Sequence, residues 1–134
     1  MQQTNKGDLW RHSLSNWAIP EEILSKAEES PWIHPPVLFE IPKKIENSPS
    51  HERALEVLES GESVLDVGCG GGIGAFALVS KVKNVIGVDH QSEMLEMFAK
   101  NAERFGVSHQ EIEGFWPEVS DKTPTVDVVV SHHV

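Results

Sequence analysis

The stretch from Val64 to Gly72, Val-Leu-Asp-Val-Gly-Cys-Gly-Gly-Gly, constrains the fold more than any other part of the chain. Residues typical of a strand lead directly into a glycine-rich turn, and an apolar segment with helical spacing follows from Ile73 to Val82. Strand, glycine turn and helix in this order form the place where α/β folds hold the polar part of a nucleotide-like ligand. Glycine is suited to such a turn because a Cβ atom would block close approach of the ligand and many of the required backbone angles.

One acid stands at the tip of this predicted strand. Asp66 precedes Gly68 by two residues, and we expect its side chain to be exposed there. A carboxylate at this point disfavours a phosphate ligand and favours a cationic one. The plainer alternative is that Asp66 caps the turn that follows.

Residues 61–134 alternate between strand and helix patterns. Strands are predicted at 63–67, 84–88, 109–113 and 126–132, with a turn-rich linker at 121–125. Between them we predict the helix from Ile73 to Val82 and a second helix, capped by Ser92 and ended by Gly106. The inward residues of this second helix are predicted to be Met94, Leu95, Phe98, Ala102 and Phe105. Such alternation predicts an α/β fold with a parallel sheet and right-handed crossovers.

Residues 1–60 carry helix signals and no strand signal, which predicts a helical N-terminal extension or cap. Leu9, Trp10, Leu14 and Trp17 have the spacing of one helix face. We also predict a short helix with Pro20 as its first residue that reaches Ala27, an extended segment over 30–36, and a helix opened by Ser48-Pro49 and closed by Gly61.

Composition narrows the classes of function. A chain of 134 residues predicts one domain with a modest core, and its formal net charge of -10 argues against a nucleic-acid groove, which needs a basic face. The apolar runs are too short to cross a bilayer, and the polar start, Met1 to Lys6, is unlike a signal peptide. The single cysteine, Cys69, excludes an internal disulfide and fits a reducing compartment, so we expect a cytoplasmic protein.

The chain stops at Val134, directly after its fourth predicted strand. This leaves three valines, 128–130, at an unprotected sheet edge, which proteins avoid. We therefore expect either a piece of a longer protein or a homodimer in which a second copy covers that edge.

Four segments together resemble the class I methyltransferases that use S-adenosylmethionine. The glycine turn with its preceding Asp66 is similar to the family's first motif, and Val85-Ile86-Gly87-Val88-Asp89 is similar to its second, a strand that ends in an acid. Glu113-Gly114-Phe115-Trp116 stands where the third ligand-contacting loop falls, and the segment from Val126 to His133 is similar to the fourth strand and its tip. The resemblance implies a Rossmann-like parallel sheet with strand order 3-2-1-4, in which residues 61–134 form part of a cofactor-binding domain.

The resemblance also implies roles for individual residues. Asp66 would face the ammonium of S-adenosylmethionine, Asp89 would accept both ribose hydroxyls, and backbone N–H groups of the turn would lie near the cofactor's carboxylate. The remaining implied cofactor contacts are Gly68, Gly70, Gly72, His90, Gln91, Met94, Gly114, Phe115, Trp116 and Ser131. Phe115 departs from the family, which more often has an aspartate after this glycine, and cannot hydrogen-bond the adenine amino group. The implied function is methyl transfer to a small-molecule acceptor.

No residue is identified as the catalytic base, although His132 and His34 are candidates. We expect no metal site, because the adjacent His132 and His133 would point to opposite faces of a strand. Cys69 is interpreted as a small turn residue.

Two alternatives remain open at this stage. A nicotinamide-dependent oxidoreductase is suggested by Gly70-Gly71-Gly72-Ile73-Gly74-Ala75, which fits the loose dinucleotide fingerprint, with Asp89 placed for a ribose. Against it, Asp66 would lie near a pyrophosphate. The other alternative is a truncated, non-catalytic fragment that binds the cofactor without turnover.

Overall fold

The computed structural model describes residues 5–132, so Met1 and His133 lie outside the described residues. The chain divides between His34 and Pro35 into two compact units. The expected boundary between 60 and 61 stays a prediction; within the second unit, Ile41 and Leu58 belong to the same core cluster as Val64. Within residues 5–132, no helix is both long enough and apolar enough to span a membrane.

The first unit contains two helices. Helix α1 (Lys6–Trp17) begins at Asn5, whose side-chain oxygen accepts from the Gly7 N–H, and helix α2 spans Glu21–Leu24. The predicted apolar helix is confirmed, but its apolar side chains are exposed, as Trp17 shows at 89%. Pro20 lies just before α2 rather than within it, and α2 ends before Ala27. The predicted extended segment instead contains a turn in which the Ile33 N–H donates to the Ser30 carbonyl.

The second unit is a parallel sheet with helices. Its strands are β1 (Glu62–Val67), β2 (Val82–Asp89), β3 (Ser108–Glu113) and β4 (Val128–Val130). Its helices are α3 (Pro49–Val57), α4 (Ile73–Phe76) and α5 (Ser92–Phe105), with 3₁₀ turns at Pro36–Phe39 and Ser120–Lys122. The strand order is β3-β2-β1-β4 and every described pairing is parallel. The predicted Rossmann-like topology is confirmed.

Side chains alternate across this sheet and divide the core into two clusters. Val64 and Val85 pack on one face with the rings of Phe76 and Phe98. The other face is formed by Leu65, Val67, Ile86, Val88, Ile112 and Val119. Both faces of the sheet therefore bear buried apolar side chains, as expected for a parallel sheet that is covered on both sides.

Helix α4 is much shorter than the predicted helix over 73–82. It ends at Phe76, successive turns follow, and Val82 begins β2 instead of ending a helix. Phe76 and Leu78 are both fully buried in the same core cluster. Residues two apart on a helix point to nearly opposite sides, so burying both together requires the backbone to leave the helix.

The ends of α3 and β4 also differ from those predicted from the sequence, and tertiary contacts lie at both ends. Helix α3 ends at Val57, before Gly61, and the Lys81 ammonium donates to the carbonyls of Leu55 (2.6 Å) and Leu58 (2.8 Å). Strand β4 is limited to 128–130 because Asp127 turns to accept from the Ser63 N–H and hydroxyl, both at 2.8 Å.

The signals around α5 are mostly confirmed. Gly106 ends the helix in the left-handed conformation, with φ of 68°. Met94, Leu95, Phe98 and Ala102 are buried as predicted, whereas Phe105 is only partly buried. The residue preceding the helix is Gln91, so Ser92 is its first residue and not its cap.

Substitution of Gly72 tests how tightly the glycine turn packs against the core. Its φ is 94°, and a Cβ atom there would lie 2.2 Å from Phe76 and 2.7 Å from Phe98. Gly61 has a similar φ of 90° with open space around it, so its substitution by alanine measures the cost of backbone strain alone. We expect Gly61→Ala to lower the free energy of unfolding by about 1–2 kcal/mol. Gly72→Ala should lower it by about 1–3 kcal/mol more, because the core must shift. Urea unfolding measures both, and equal losses would contradict the packing.

Candidate functional site

The glycine turn is held against the end of β2 by its own backbone. The N–H groups of Gly68 and Cys69 both donate to the Val88 carbonyl, at 2.8 and 2.9 Å, and the Gly72 N–H donates to the Cys69 carbonyl at 2.8 Å. The Gly70 N–H donates to Asp89 Oδ2 at 2.9 Å. These donors already have partners within the chain, which does not favour the expected contact between them and a ligand carboxylate.

The need for glycine in the turn comes from backbone angles and from the protein's own packing. Gly68, Gly70 and Gly72 all have positive φ. A Cβ atom on Gly71 would lie 2.1 Å from the Phe39 carbonyl oxygen, and one on Gly70 would lie 2.9 Å from the Phe39 ring. The 3₁₀ turn at Pro36–Phe39 therefore lies directly against the glycine turn. The sequence analysis attributed the need for glycine here to the close approach of a ligand, whereas the structure shows close approach of Phe39.

Asp89 links three of the predicted segments. Its Oδ2 accepts from Gly70, its Oδ1 accepts from the Gln91 N–H at 3.0 Å, and its carbonyl accepts from the Gly114 N–H at 2.9 Å. The Asp89 side chain is 11% exposed. The carboxylate is thus oriented by two backbone donors while part of its surface still faces outward.

A flat surface lies beside Asp89. The rings of His90 and Phe115 stack with centroids 4.8 Å apart and an angle of 20°, and His90 Nδ1 is 3.6 Å from Asp89 Oδ1. Phe115 is 64% exposed and Trp116 is 45% exposed. The structure therefore brings the second motif and the third loop together at the carboxyl end of β2 and β3.

The other predicted contact residues occupy different surroundings. Gln91 and Met94 are buried, at 7% and 2% exposure, so their side chains do not form an open surface. Ser131 is exposed, and its hydroxyl donates to the Val67 carbonyl at 3.2 Å, which places it beside the end of β1. Among residues 5–132, no three His, Cys, Asp or Glu side chains are grouped as metal ligands would be.

Asp66 is buried, and the expectation of an exposed strand tip is wrong. It is 2% exposed, and its Oδ2 accepts from the Ala75 N–H at 3.2 Å. Burial raises the pKa of Asp66 from its ordinary value of 3.8 to about 8. The Ala75 N–H opposes this shift, and the nearby charge of Asp89 adds to it. Asp66 therefore belongs to the same end of the sheet as Asp89 but holds a proton at neutral pH.

Sequence reasoning missed His51, which lies in the first turn of α3 and is 7% exposed. Its ring meets that of His132 edge to face, with centroids 5.2 Å apart. His132 also borders Gly74, where an added Cβ atom would lie 2.7 Å from the His132 ring and 3.2 Å from Asp66 Oδ2. The available signal was the spacing Ser48-Pro-Ser-His51, in which His51 takes the place of the Glu or Gln of a capping box. The other candidate base, His34, lies in the first unit.

These features define a class of protein. A parallel sheet of order 3-2-1-4, a glycine turn after β1 and an acid at the end of β2 are the marks of a Rossmann-like ligand-binding domain. An acid at the end of β2, joined to the glycine turn, is suited to ribose hydroxyls.

Comparison with known proteins identifies the family. A family described as a methyltransferase domain matches residues 64–134. The ribosomal protein L11 methyltransferase of Vibrio campbellii is 39% identical over 89 residues, which cover 63% of this chain and 30% of that protein. The ubiquinone biosynthesis O-methyltransferase of Actinobacillus pleuropneumoniae is 46% identical over 48 residues, 36% of this chain and 20% of that protein.

A solved structure confirms the fold. The precorrin 8W decarboxylase from Methanobacterium thermoautotrophicum superposes with a TM-score of 0.54 at 23% identity, over 85% of this chain and 57% of that one. The chain belongs to this family of methyltransferase domains. The chain spans about 30% of the length of the Vibrio campbellii relative.

The residues present fit S-adenosylmethionine, the cofactor that the resemblance implies. Its ribose needs an oriented acceptor, which Asp89 could provide, and its adenine needs a flat surface, which the stacked rings of His90 and Phe115 could provide. Its ammonium needs a negative group, and Asp66 can become one because a neighbouring positive charge favours the ionised carboxylate.

The burial of Asp66 predicts an unusual dependence of stability on pH. Between pH 4 and 8 the native state keeps a proton on Asp66 that the unfolded chain releases, so stability falls as pH rises. Asp66→Asn removes this effect. We expect its free energy of unfolding, relative to the unaltered chain, to increase by about 1.4 kcal/mol per pH unit from pH 5 to 7.

Asp127→Asn is the matched control. Hydrogen bonds from Ser63 lower the pKa of Asp127, so its stabilisation is lost only as the pH falls below its ordinary pKa. Urea unfolding should give the same difference in free energy of unfolding between this variant and the unaltered chain at pH 5, 6 and 7. If the difference in free energy of unfolding for Asp66→Asn also stays constant between pH 5 and 7, Asp66 is ionised in the folded protein.

Proposed function

We propose that the chain is the cofactor-binding part of an enzyme that transfers a methyl group from S-adenosylmethionine to a small-molecule acceptor. The observation that carries the proposal is the Asp89 carboxylate, which is held between the glycine turn by the Gly70 N–H and the start of α5 by the Gln91 N–H. Each carboxylate oxygen has a second lone pair, so Asp89 can accept from ribose hydroxyls while its backbone contacts remain.

The surroundings of Asp89 support an adenosine orientation. The stacked rings of His90 and Phe115 would lie along one side of the adenine, and the loop at Gly114 would border its edge. Phe115 has no polar group for the adenine amino group, so the neighbouring backbone would have to recognise it. Trp116, which is also partly exposed, extends the apolar surface.

Asp66 would face the ammonium at the other end of the ligand. A bound ammonium lowers the pKa of a nearby carboxyl, so binding at neutral pH would release the Asp66 proton. Burial then becomes an advantage, because an ion pair shielded from water is stronger than an exposed one. The affinity would therefore rise with pH.

The sulfonium of S-adenosylmethionine supplies an activated methyl group when it is bound. The chain's residues would fix its position relative to the acceptor, and such positioning supplies roughly 7–11 kcal/mol of a barrier. Ser131 and His132 follow β4 beside the end of β1, and this position supports a role for them on the acceptor side.

The small-molecule acceptor is supported by the net charge of -10, which disfavours nucleic acid. Relatives are named for a ribosomal protein and for ubiquinone biosynthesis, so protein acceptors are a competing outcome. A second candidate function, cofactor binding without turnover, is favoured by the 30% share of the Vibrio relative that the chain spans.

Calorimetry and a transfer assay separate these possibilities. We expect the chain to bind S-adenosylhomocysteine and not NAD. Tritiated S-adenosylmethionine is then supplied with a catechol, with ribosomal proteins or with transfer RNA. Label in the catechol supports the proposal, label only in protein or RNA overturns the acceptor class, and binding without label supports the second candidate. Binding of NAD alone overturns the cofactor assignment for this chain.

Asp89→Ala tests the ribose contact. We expect it to weaken binding of S-adenosylhomocysteine by roughly 1–3 kcal/mol, or about 5- to 150-fold, because hydrogen bonds to a charged acceptor are lost. Asp121→Ala, at an exposed acid in the second 3₁₀ turn, should leave binding unchanged. Circular dichroism must show that both variants are folded. Unchanged affinity of a folded Asp89→Ala chain would remove the ribose assignment.

Two further expectations stay proposals. A homodimer that covers β4 is supported by Val129, which is 58% exposed on this edge strand. A cytoplasmic location is supported by the buried free thiol of Cys69, whose pKa is raised by burial. A monomer in light scattering at high protein concentration would contradict the dimer.

A further inference from the structure

Two histidines far apart in sequence meet beside the proposed acceptor side of the site. His51 is carried by α3 and His132 follows β4, and their rings pack edge to face at 5.2 Å and 65°. The two residues differ in exposure, because His51 is 7% exposed while His132 is only partly buried. The outer member of the pair is therefore the one that a substrate can reach.

The cap of α3 sets the protonation pattern of His51. The Ser48 N–H donates to His51 Nδ1 at 3.2 Å, and the Ser48 hydroxyl accepts from the His51 N–H at 3.4 Å. A ring nitrogen that accepts carries a lone pair, so this network assigns the proton of the neutral ring to Nε2. Burial and the neighbouring His132 both lower the pKa of His51. His51 is thus a neutral imidazole at physiological pH.

The surroundings of His132 join it to the cofactor end of the sheet. Its ring and Asp66 Oδ2 both lie against Gly74 in α4, which has no charge. Two titratable groups lie near it: His51 from α3, through the ring contact, and Asp66 from β1, across Gly74. His51 resists a positive charge, and Asp66 keeps its proton up to about pH 8 in the absence of a cation. His132 is the most exposed side chain of this cluster.

We propose that His132 is the general base for the acceptor and that His51 is a positioning residue that directs the incoming proton to His132. This inference rests on the proposed methyl transfer. The acceptor's lone pair forms the bond to the methyl carbon, the electrons of the breaking carbon–sulfur bond stay on sulfur, and the acceptor's proton passes to the His132 imidazole and then to water. A base of this kind contributes about 10²–10⁴-fold when the acceptor is a poor nucleophile.

Nuclear magnetic resonance of the whole chain tests the pair without any acceptor. Histidine ring signals are followed against pH in the unaltered chain, His132→Gln and His51→Gln. Glutamine at position 51 keeps a capping-box acceptor for α3 while removing the imidazole. We expect the His51 pKa to rise in His132→Gln, because His132 is, after burial, the second cause that lowers it. We also expect ¹⁵N shifts to show Nε2–H on His51.

His109→Gln is the matched control, because His109 lies on β3 and pairs with Glu111. It should move neither the His51 nor the His132 signal. A His51 titration that is unaffected by His132→Gln would overturn the proposed coupling.

The transfer assay supplies the second readout. In the acceptor that takes up label, His132→Gln should lower kcat by about 10²–10⁴-fold and abolish the acid limb of its pH profile, with affinity for S-adenosylhomocysteine unchanged. His51→Gln should shift that limb and lower kcat less. Normal kcat in His132→Gln overturns the base assignment. If the unaltered chain binds no S-adenosylhomocysteine but its histidines are still coupled, the proposed function fails while the pair stands.

Discussion

The attachment of the glycine turn to Asp89 is the constraint on which the site depends. The Gly70 N–H and the Asp89 carboxylate connect the ends of β1 and β2, and the Gly114 N–H ties the third loop to the same residue. One residue, through its side chain and its backbone carbonyl, therefore sets the spacing of three segments that are distant in sequence. Because a carboxylate accepts several hydrogen bonds at once, Asp89 can serve this structural purpose and still bind ribose.

The burial of Asp66 changes the electrostatic character of the site. An exposed acid would be ionised at all physiological pH values, whereas a buried one beside Asp89 keeps its proton until a positive charge arrives. In the proposed site, Asp66 therefore adds no negative charge beside the Asp89 carboxylate until a cation binds. Two carboxyl groups that cannot easily be charged together would distinguish a sulfonium ligand with an ammonium group from a dinucleotide with a pyrophosphate.

Much of the fold was predictable because it follows from local rules. The order of strands and helices and the end of α5 at Gly106 follow from hydrophobic period and glycine conformation. The errors cluster where distant groups intervene. Lys81 ends α3 by binding its last carbonyls, and the joint burial of Phe76 and Leu78 shortens α4. No pattern along the chain contains such contacts.

The linear order of residues was enough to identify the class of fold and the acids at its ligand-binding edge, because strand ends and glycine turns are encoded within a few neighbouring residues. Only the folded chain decided which groups are buried and which meet. In the folded chain, Asp66 is buried and accepts from the Ala75 N–H in α4. Phe39 lies against Gly71, and the ring of His51 contacts that of His132. Burial and contacts of this kind depend on elements brought together from far apart, and they set the charge of each group in the site.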